Sequence, residues 1–293
     1  MNSMIKKVNS SAGIFIWVLG IAFLVHGCGQ GGKQDSQSGQ TYDDSKLVWA
    51  DEFNYEGAPN PEIWTYDIGH GWNGWGNNEL QYYTDKPENV RVEDGKLIIE
   101  ALKENGEWTS ARIKTLGLKS VKYGTVVARA KIPEGVGTWP AIWMLGEDFP
   151  EVSWPKCGEI DIMEHVGKDP NVIHSALHTP SSHGNTVNSG DTTISDVMTN
   201  FHEYSATWTK EEIIFKVDGK EYYRYKPEEY NDATWPFNKP FFVLMNIAIG
   251  GNWGSKDELE TDGLQNGVAP NLKKARMEDR KSTRLNSSHY RTS

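Results

Sequence analysis

Three carboxylates fall within six residues of GEIDIMEHVG (Gly158–Gly167): Glu159, Asp161 and Glu164, set among Ile160, Ile162 and Met163. Clustered carboxyls can work as acid, base or nucleophile on a bond held between them, can bind a hard cation, or can simply face water. Calcium loops usually carry Gly, Asn and further Asp at short spacing rather than Ile and Met. A solvated strand prefers Lys and Thr beside its acids, whereas this one follows GTWPAIWMLGE and precedes IHSALHT, rich in Trp and His. The pattern suits two carboxyls placed on either side of a glycosidic bond.

On a regular strand Glu159, Asp161 and Met163 share one face, and Ile160, Ile162 and Glu164 share the other. Glu164 would then enter the core as an ionised group, at a cost of several kcal/mol. A β-bulge near Ile162 and Met163 removes the conflict by returning Glu164 to the face of the other two acids. About four effective steps of ~3.3 Å put the two Glu Cα atoms ~13 Å apart. Side chains reaching inward leave roughly 5 to 6 Å between the carboxyls, the spacing of a retaining glycosidase. Asp161 between them is expected to leave Glu159 ionised as nucleophile and to raise the pKa of Glu164, the proton donor.

The elements that must hold this strand read as β throughout. Between Lys46 and Met277 the apolar residues alternate, as in KLIIEALKE, SARIKT and GTVVARAKIP, the period of a strand and not of a helix. EEIIFKVDGKEYYRYK is a hairpin turning at Asp218 and Gly219, residues that accept the positive φ of a tight turn. FFVLMNIAIGG reads as a central strand. About a dozen short strands separated by Gly, Pro and Asn predict an all-β sandwich of two antiparallel sheets, with no second domain.

Composition narrows the partners. The 293 residues include 12 Trp, 12 Tyr and 9 Phe but 2 Cys, so packing rather than a disulfide framework must hold the core. Without residues 1–28 (Lys6, Lys7) and 280–293 (Arg280, Lys281, Arg284, Arg291) the formal charge goes from −10 to −16. That field repels nucleic acid and sulfated polymers and favours a neutral substrate.

The ends read as processing and not fold. Residues 1–28 carry Lys6 and Lys7, an apolar run of 14 residues from Ala12 to Val25, and Cys28, the layout of an export signal and shorter than the ~20 residues that span a bilayer. Val25, His26, Gly27 and Cys28 resemble the bacterial lipoprotein box, although His26 departs from its usual small residue. Lipidation at Cys28 would make the lipid anchor the chain's one membrane contact and the cell envelope its location, and without it the chain is secreted. Residues 29–45, Gly/Ser/Gln-rich, form a tether. Residues 46–279 are the working domain. The stretch RKSTRLNSSHYRTS (280–293) has no apolar period, resembles translated sequencing adapter, and is read as non-native. The closing strand expected after KKARME is then lost, which would leave an open sheet edge.

WPKCGEIDIMEHVG, with YGTVVARAKIPEGVGTWPAIWMLG before it and HTPSSHGN and MNIAIGGNWG after it, resembles glycoside hydrolase family 16, most closely its bacterial laminarinases, over about Leu47 to Glu278. The resemblance implies a concanavalin-like β-jelly roll whose concave sheet is the glucan cleft, and hydrolysis with retention. It implies Glu159 as nucleophile, Asp161 as its assistant and Glu164 as acid/base, with no cofactor for catalysis. Alternation already puts Trp139 and Trp143 on one face, where indoles suit sugar rings. The resemblance adds Asn77, Trp75, Arg112 and Trp253 to the sugar contacts and sets His178 beside the acid/base. Zinc at His174 and His178 is rejected, since that spacing on a strand is ~13 Å. A structural Ca²⁺ is implied at Glu52 and the backbone of Gly95, its last-strand Asp unidentified. Cys157 reads as a packed free thiol.

The resulting expectation is a monomeric endo-1,3-β-glucanase acting on laminarin-like chains. A 1,3-1,4-β-glucanase remains open, as does a surface glycan-binding protein on the same sandwich, because fold does not fix function.

Overall fold

The computed structural model describes residues 47–255, 267–280 and 284–286. The export signal, Cys28, the tether and most of 280–293 lie outside them. In chain order the strands are β1 (Thr65–Asp67), β2 (Gln81–Tyr83), β3 (Val90–Glu93), β4 (Lys96–Glu104), β5 (Glu107–Ser110), β6 (Arg112–Lys114), β7 (Gly124–Lys131), β8 (Thr138–Gly146) and β9 (Glu159–Glu164). They continue as β10 (Val172–His178), β11 (Ser189–Thr193), β12 (His202–Trp208), β13 (Ile213–Val217), β14 (Lys220–Tyr225), β15 (Phe241–Ile249), β16 (Lys274–Asp279) and β17 (Arg284–Asn286). Two single-turn helices, Phe149–Val152 and Gly251–Gly254, interrupt them.

The strands form a 7-stranded sheet ordered β1-β6-β15-β8-β9-β10-β11 and a 10-stranded sheet ordered β14-β13-β12-β7-β16-β4-β5-β2, with β3 on β4 and β17 on β7. The core lies between them. Ile113, Ile142, Met144, Ile160, Leu177 and Met245 meet Ala128, Tyr204, Phe215 and Met277 there. Because side chains alternate, the neighbours of the first set face away from the core. β15 is buried along its whole length, as its unbroken apolar run implies. Its Phe242 and Leu244 pack on the other face with Leu145 and Cys157. The predicted hairpin joins β13 to β14, with Asp218 at φ 49° and Gly219 at φ 77°. The sheets are antiparallel except that β2 pairs with β5 in parallel.

The predicted bulge is present. On β8, Ile142 opposes Met163 and Trp143 opposes Asp161; on β10, His174 opposes Glu164 and Ala176 opposes Asp161. Both registers absorb one extra residue between Asp161 and Glu164. Ile162 and Met163 are therefore both in the core, and Glu164 faces out with Glu159 and Asp161.

The strand expected after KKARME falls on residues 280–293, most of which lie outside the described residues. Ahead of them β16 pairs with β4 over six positions and with Lys131 and Ala130 of β7, and β17 covers Thr125–Val127. Ala275 and Met277 supply the apolar alternation, while the buried Glu278 is held at 3.2 Å by both Lys96 and Lys131. A charged sequence can occupy a middle strand when its carboxylate is paired in this way.

Directly after the catalytic strand, Gly167 passes so close to another loop that a Cβ would lie 1.8 Å from the carbonyl oxygen of Gly135 and 2.6 Å from Thr138 Oγ1. Backbone cannot yield as a side chain does. Gly167→Ala is expected to lower the thermal midpoint by about 5 °C or more, given ~1–3 kcal/mol for overpacking and ~2–4 °C per kcal/mol at this domain size. An unchanged melting curve would contradict the close approach.

Candidate active site

Five strands of the smaller sheet bring the chemistry together on the face away from the core. β9 contributes Glu159, Asp161 and Glu164, β8 contributes Trp139 and Trp143, β10 contributes His174 and His178, β15 contributes Asn246, and β6 contributes Arg112. Most sit next to a core residue named above, and His174 next to the core Ile173, so the alternation that buries one set presents the other.

Asp161 is 2% exposed. Burial drives its carboxyl well above the usual range, and the charge of Glu159 and a hydrogen bond with it act in the same direction. The protonated form of Asp161 is thereby favoured, with its hydrogen bond directed to Glu159. Glu164 is also raised well above the ordinary carboxyl value, first by burial and then by Asp161, while the Trp139 indole opposes the rise. Trp139 Nε1 donates to Glu164 Oε1 at 2.9 Å. Three neighbouring acids thus hold their protons unequally, and burial outweighs the Asp161 charge that the sequence reading emphasised.

His178 sits elsewhere than the resemblance implied. It lies opposite Glu159 in register, and its Nε2 is 3.2 Å from Asp161 Oδ2 and 3.5 Å from Glu159 Oε1. The residue opposite Glu164 is His174, whose ring meets Trp253 at 5.0 Å. The two histidines are four residues apart on β10, so antiparallel pairing sets one at each end of the carboxylate set. Gly184 N–H donates to His178 Nδ1 at 3.1 Å, so Nδ1 accepts and the neutral ring carries its hydrogen on Nε2, toward the acids. Glu159, Asp161 and His178 are also the one group of three His, Cys, Asp or Glu among the described residues with ligand atoms within 4.8 Å of one another.

Beyond β8 the predicted sugar contacts converge on Arg112. Its guanidinium lies 4.7 Å from the ring centres of both Trp75 and Trp143, and its Nε is 2.9 Å from Asp67 Oδ2. Arg112, implied as a sugar contact, is clamped between two indoles and paired with an acid. Trp143 Nε1 donates to Asn246 Oδ1 at 2.8 Å. Asn77 donates to Glu79 Oε1 at 3.1 Å, and Gln81 Nε2 holds Oε2 at 2.6 Å. Burial pushes the Glu79 carboxyl up. Trp253 stacks edge-on with Trp139 at 5.4 Å. On the other side of β9, Trp154 is 40% exposed and touches the rings of His178 and His183 at 5.8 and 5.2 Å.

Asp67, Glu79, Asn246 and Trp154 were missed in the sequence. Asn246 did leave a signal, a polar residue in the middle of an apolar central strand. Cys157 is buried and free, its thiol pushed up to about 12 by burial first and by Glu159 second. At the proposed calcium position, Gly95 turns between β3 and β4 at φ 68°. On the last long strand, Asp279 is buried at the end of β16 and opposite Leu97.

A jelly-roll sandwich carrying an unequally protonated carboxylate set on its open face, lined by indoles, is a glycoside hydrolase. Residues 77–265 match the family model for glycosyl hydrolases family 16, and the chain belongs to that family. It is 45% identical over 251 residues to a beta-glucanase of Rhodothermus marinus, covering 81% of this chain and 86% of that one. Among solved structures, the laminarinase from Flavobacterium sp. UMI-01 superposes with a TM-score of 0.74 at 40% identity, covering 82% of this chain and all 100% of that one. SCLam, described as a non-specific endo-beta-1,3(4)-glucanase, superposes with a TM-score of 0.75 at 42% identity over 83% and 91% of the two chains.

Raised carboxyls in the fold bind protons more tightly than in the unfolded chain, so the stability they contribute is complete at low pH and is lost as pH rises through their folded values. Asp161→Asn removes one of them. Its melting temperature should fall less than wild type between about pH 5 and about pH 9 and exceed wild type at the alkaline end. Parallel curves would mean that Asp161 is ionised in the fold.

Proposed function

We propose that the chain is a retaining endo-1,3-β-glucanase that cuts laminarin-like β-glucans by double displacement. Glu159 attacks the anomeric carbon while Glu164 gives its proton to the departing glycosidic oxygen. The covalent glycosyl-enzyme is then opened by water, which Glu164, now a carboxylate, deprotonates. Asp161, donating its hydrogen bond to Glu159, keeps that oxygen pair anionic and oriented. The observation that carries this reading is the bulge in β9: it places the nucleophile and a proton-holding carboxyl on one face, beside Trp139 and Trp143. These two indoles with Trp75 and Trp253 supply apolar faces for sugar rings, and Asn77 and His178 supply hydrogen bonds. Arg112 acts by holding Trp75 and Trp143 in place. The acidic domain suits a neutral polymer and neither nucleic acid nor sulfated glycan.

A second reading, action on mixed 1,3-1,4-linkages, is favoured by the similarity to SCLam. For the whole chain, residues 1–28 as an export signal with lipidation at Cys28 would tether a monomeric domain to the cell envelope, and without lipidation the domain is secreted. A structural Ca²⁺ would be held by Glu52, the Gly95 carbonyl and Asp279, oxygen donors of the kind this cation takes. It would stabilise the sandwich and take no part in the reaction.

Reducing-sugar release from laminarin, lichenan and agarose by wild type should rank laminarin first, and Glu159→Ala should lose on the order of 10⁴-fold or more. NMR of the first products should show the β-anomer. A mutant as active as wild type, or α-products, would reject the mechanism. Separately, chelation should lower the melting temperature by several degrees and Ca²⁺ should restore it. Curves that coincide with and without chelator would remove the ion from this reading.

A further inference from the structure

A bulge leaves a residue outside the ladder, and its carbonyl needs another partner. Here that partner is Ser175 on β10, fully buried, whose Oγ donates to the carbonyl oxygen of Ile162 at 2.9 Å. Ser175 is the position that the register skips, between His174 opposite Glu164 and Ala176 opposite Asp161. Ser175 Oγ also makes a short hydrogen bond with the hydroxyl of Tyr222. A carbonyl cannot donate, so the single serine hydrogen goes to Ile162 and the tyrosine hydroxyl must donate to the serine. Tyr222 belongs to β14, at the edge of the opposite sheet, and its hydroxyl stays protonated because burial pushes it far up. The neighbouring Tyr223 fills the space above Gly190 of β11, where a Cβ would lie 2.6 Å from its ring, and stacks on Phe215 at 5.6 Å. β14 is thereby seated firmly over β10 and β11.

We infer that Ser175 and Tyr222 are positioning residues for the proton donor, fixing Glu164 by holding the Ile162 carbonyl of the bulge. The chain of contacts runs from the opposite sheet through a tyrosine and a serine to the one backbone group whose displacement turns Glu164 outward. Neither side chain reaches the open face, since Ser175 lies on the core side of β10. The pair acts on Glu164 and not on Glu159, which lies before the bulge in regular register with Leu145 and His178. The inference rests on Glu164 being the acid, and it adds the device that aims it.

The test uses two substrates that differ in their need for an acid. Laminarin has a poor leaving group and requires protonation. A 2,4-dinitrophenyl β-laminaribioside releases a stabilised phenolate, so its first step, read as kcat/KM, requires only the nucleophile. Ser175→Ala should lower kcat/KM on laminarin by about 10- to 100-fold, a share of the ~10²–10⁴ that a general acid contributes, and change kcat/KM on the aryl glycoside by less than about 3-fold. Tyr222→Phe, which keeps the ring, should show the same selectivity with a smaller loss, and Ser175→Thr, which keeps the hydroxyl, should recover laminarin activity. Glu164→Ala is the control for the underlying reading. If it retains laminarin activity, the assignment of the acid fails. If it loses kcat/KM on laminarin but not on the aryl glycoside while Ser175→Ala and Tyr222→Phe leave laminarin kcat/KM within about 2-fold, or lower both substrates equally, the positioning role fails. Should Ser175→Ala not fold, Tyr222→Phe decides alone.

Discussion

An ionised or even a protonated carboxyl turned into the space between two apolar sheets costs several kcal/mol unless a partner meets it. That cost governs β9, because EIDIME cannot be a regular strand without directing either Met163 outward or Glu164 inward. One extra residue settles both, placing Ile162 and Met163 in the core and all three acids on the open face. The solution creates a new demand, a carbonyl outside the ladder, and Ser175 meets it at 2.9 Å. Much of the surrounding architecture follows from this single step: Ser175 of β10 must span two residues of β9, and Tyr222 must come across from the other sheet.

The same constraint shapes the charges on the open face. Two carboxyls as close as Glu159 and Asp161 cannot both ionise in a buried setting, and burying Asp161 more deeply decides which keeps the proton. His178 brings its Nε2 within 3.2 Å of Asp161 and 3.5 Å of Glu159, its other nitrogen being taken by Gly184 N–H. Glu164, raised by burial, is kept from rising further by the Trp139 indole. No single group sets the division of labour. It arises because one strand exposes its three acids to three different degrees and supplies each with a different neighbour.

What could be read in the sequence was whatever a period of two controls. Alternation places Trp139 with Trp143, the hairpin at Asp218 and Gly219, and the central position of Phe241–Ile249. The bulge was legible because the regular strand was energetically untenable. What escaped was cross-chain register. His178 was set beside Glu164, but the register pairs it with Glu159 and gives Glu164 to His174. How Lys274–Asp279 sits in the sheet was not legible either, since pairing of Glu278 with Lys96 and Lys131 is a long-range fact with no local trace. The role of Arg112 likewise depends on partners far away in the chain, Trp75 and Trp143.

Rigidity on both sides of β9 is the consequence that bears on catalysis. Toward β6, the Arg112 guanidinium locks Trp75 and Trp143 in one arrangement, and Trp143 is further fixed by Asn246. Toward β10, His178 and His183 brace Trp154, and the loop carrying His183 is pinned by its own hydrogen bonds, including His183 to the Thr179 carbonyl. Side chains already held in place lose little entropy when a chain binds across them. More of the contact energy then remains for positioning the bond between Glu159 and Glu164, where an ångström of misplacement outweighs any single contact at the periphery.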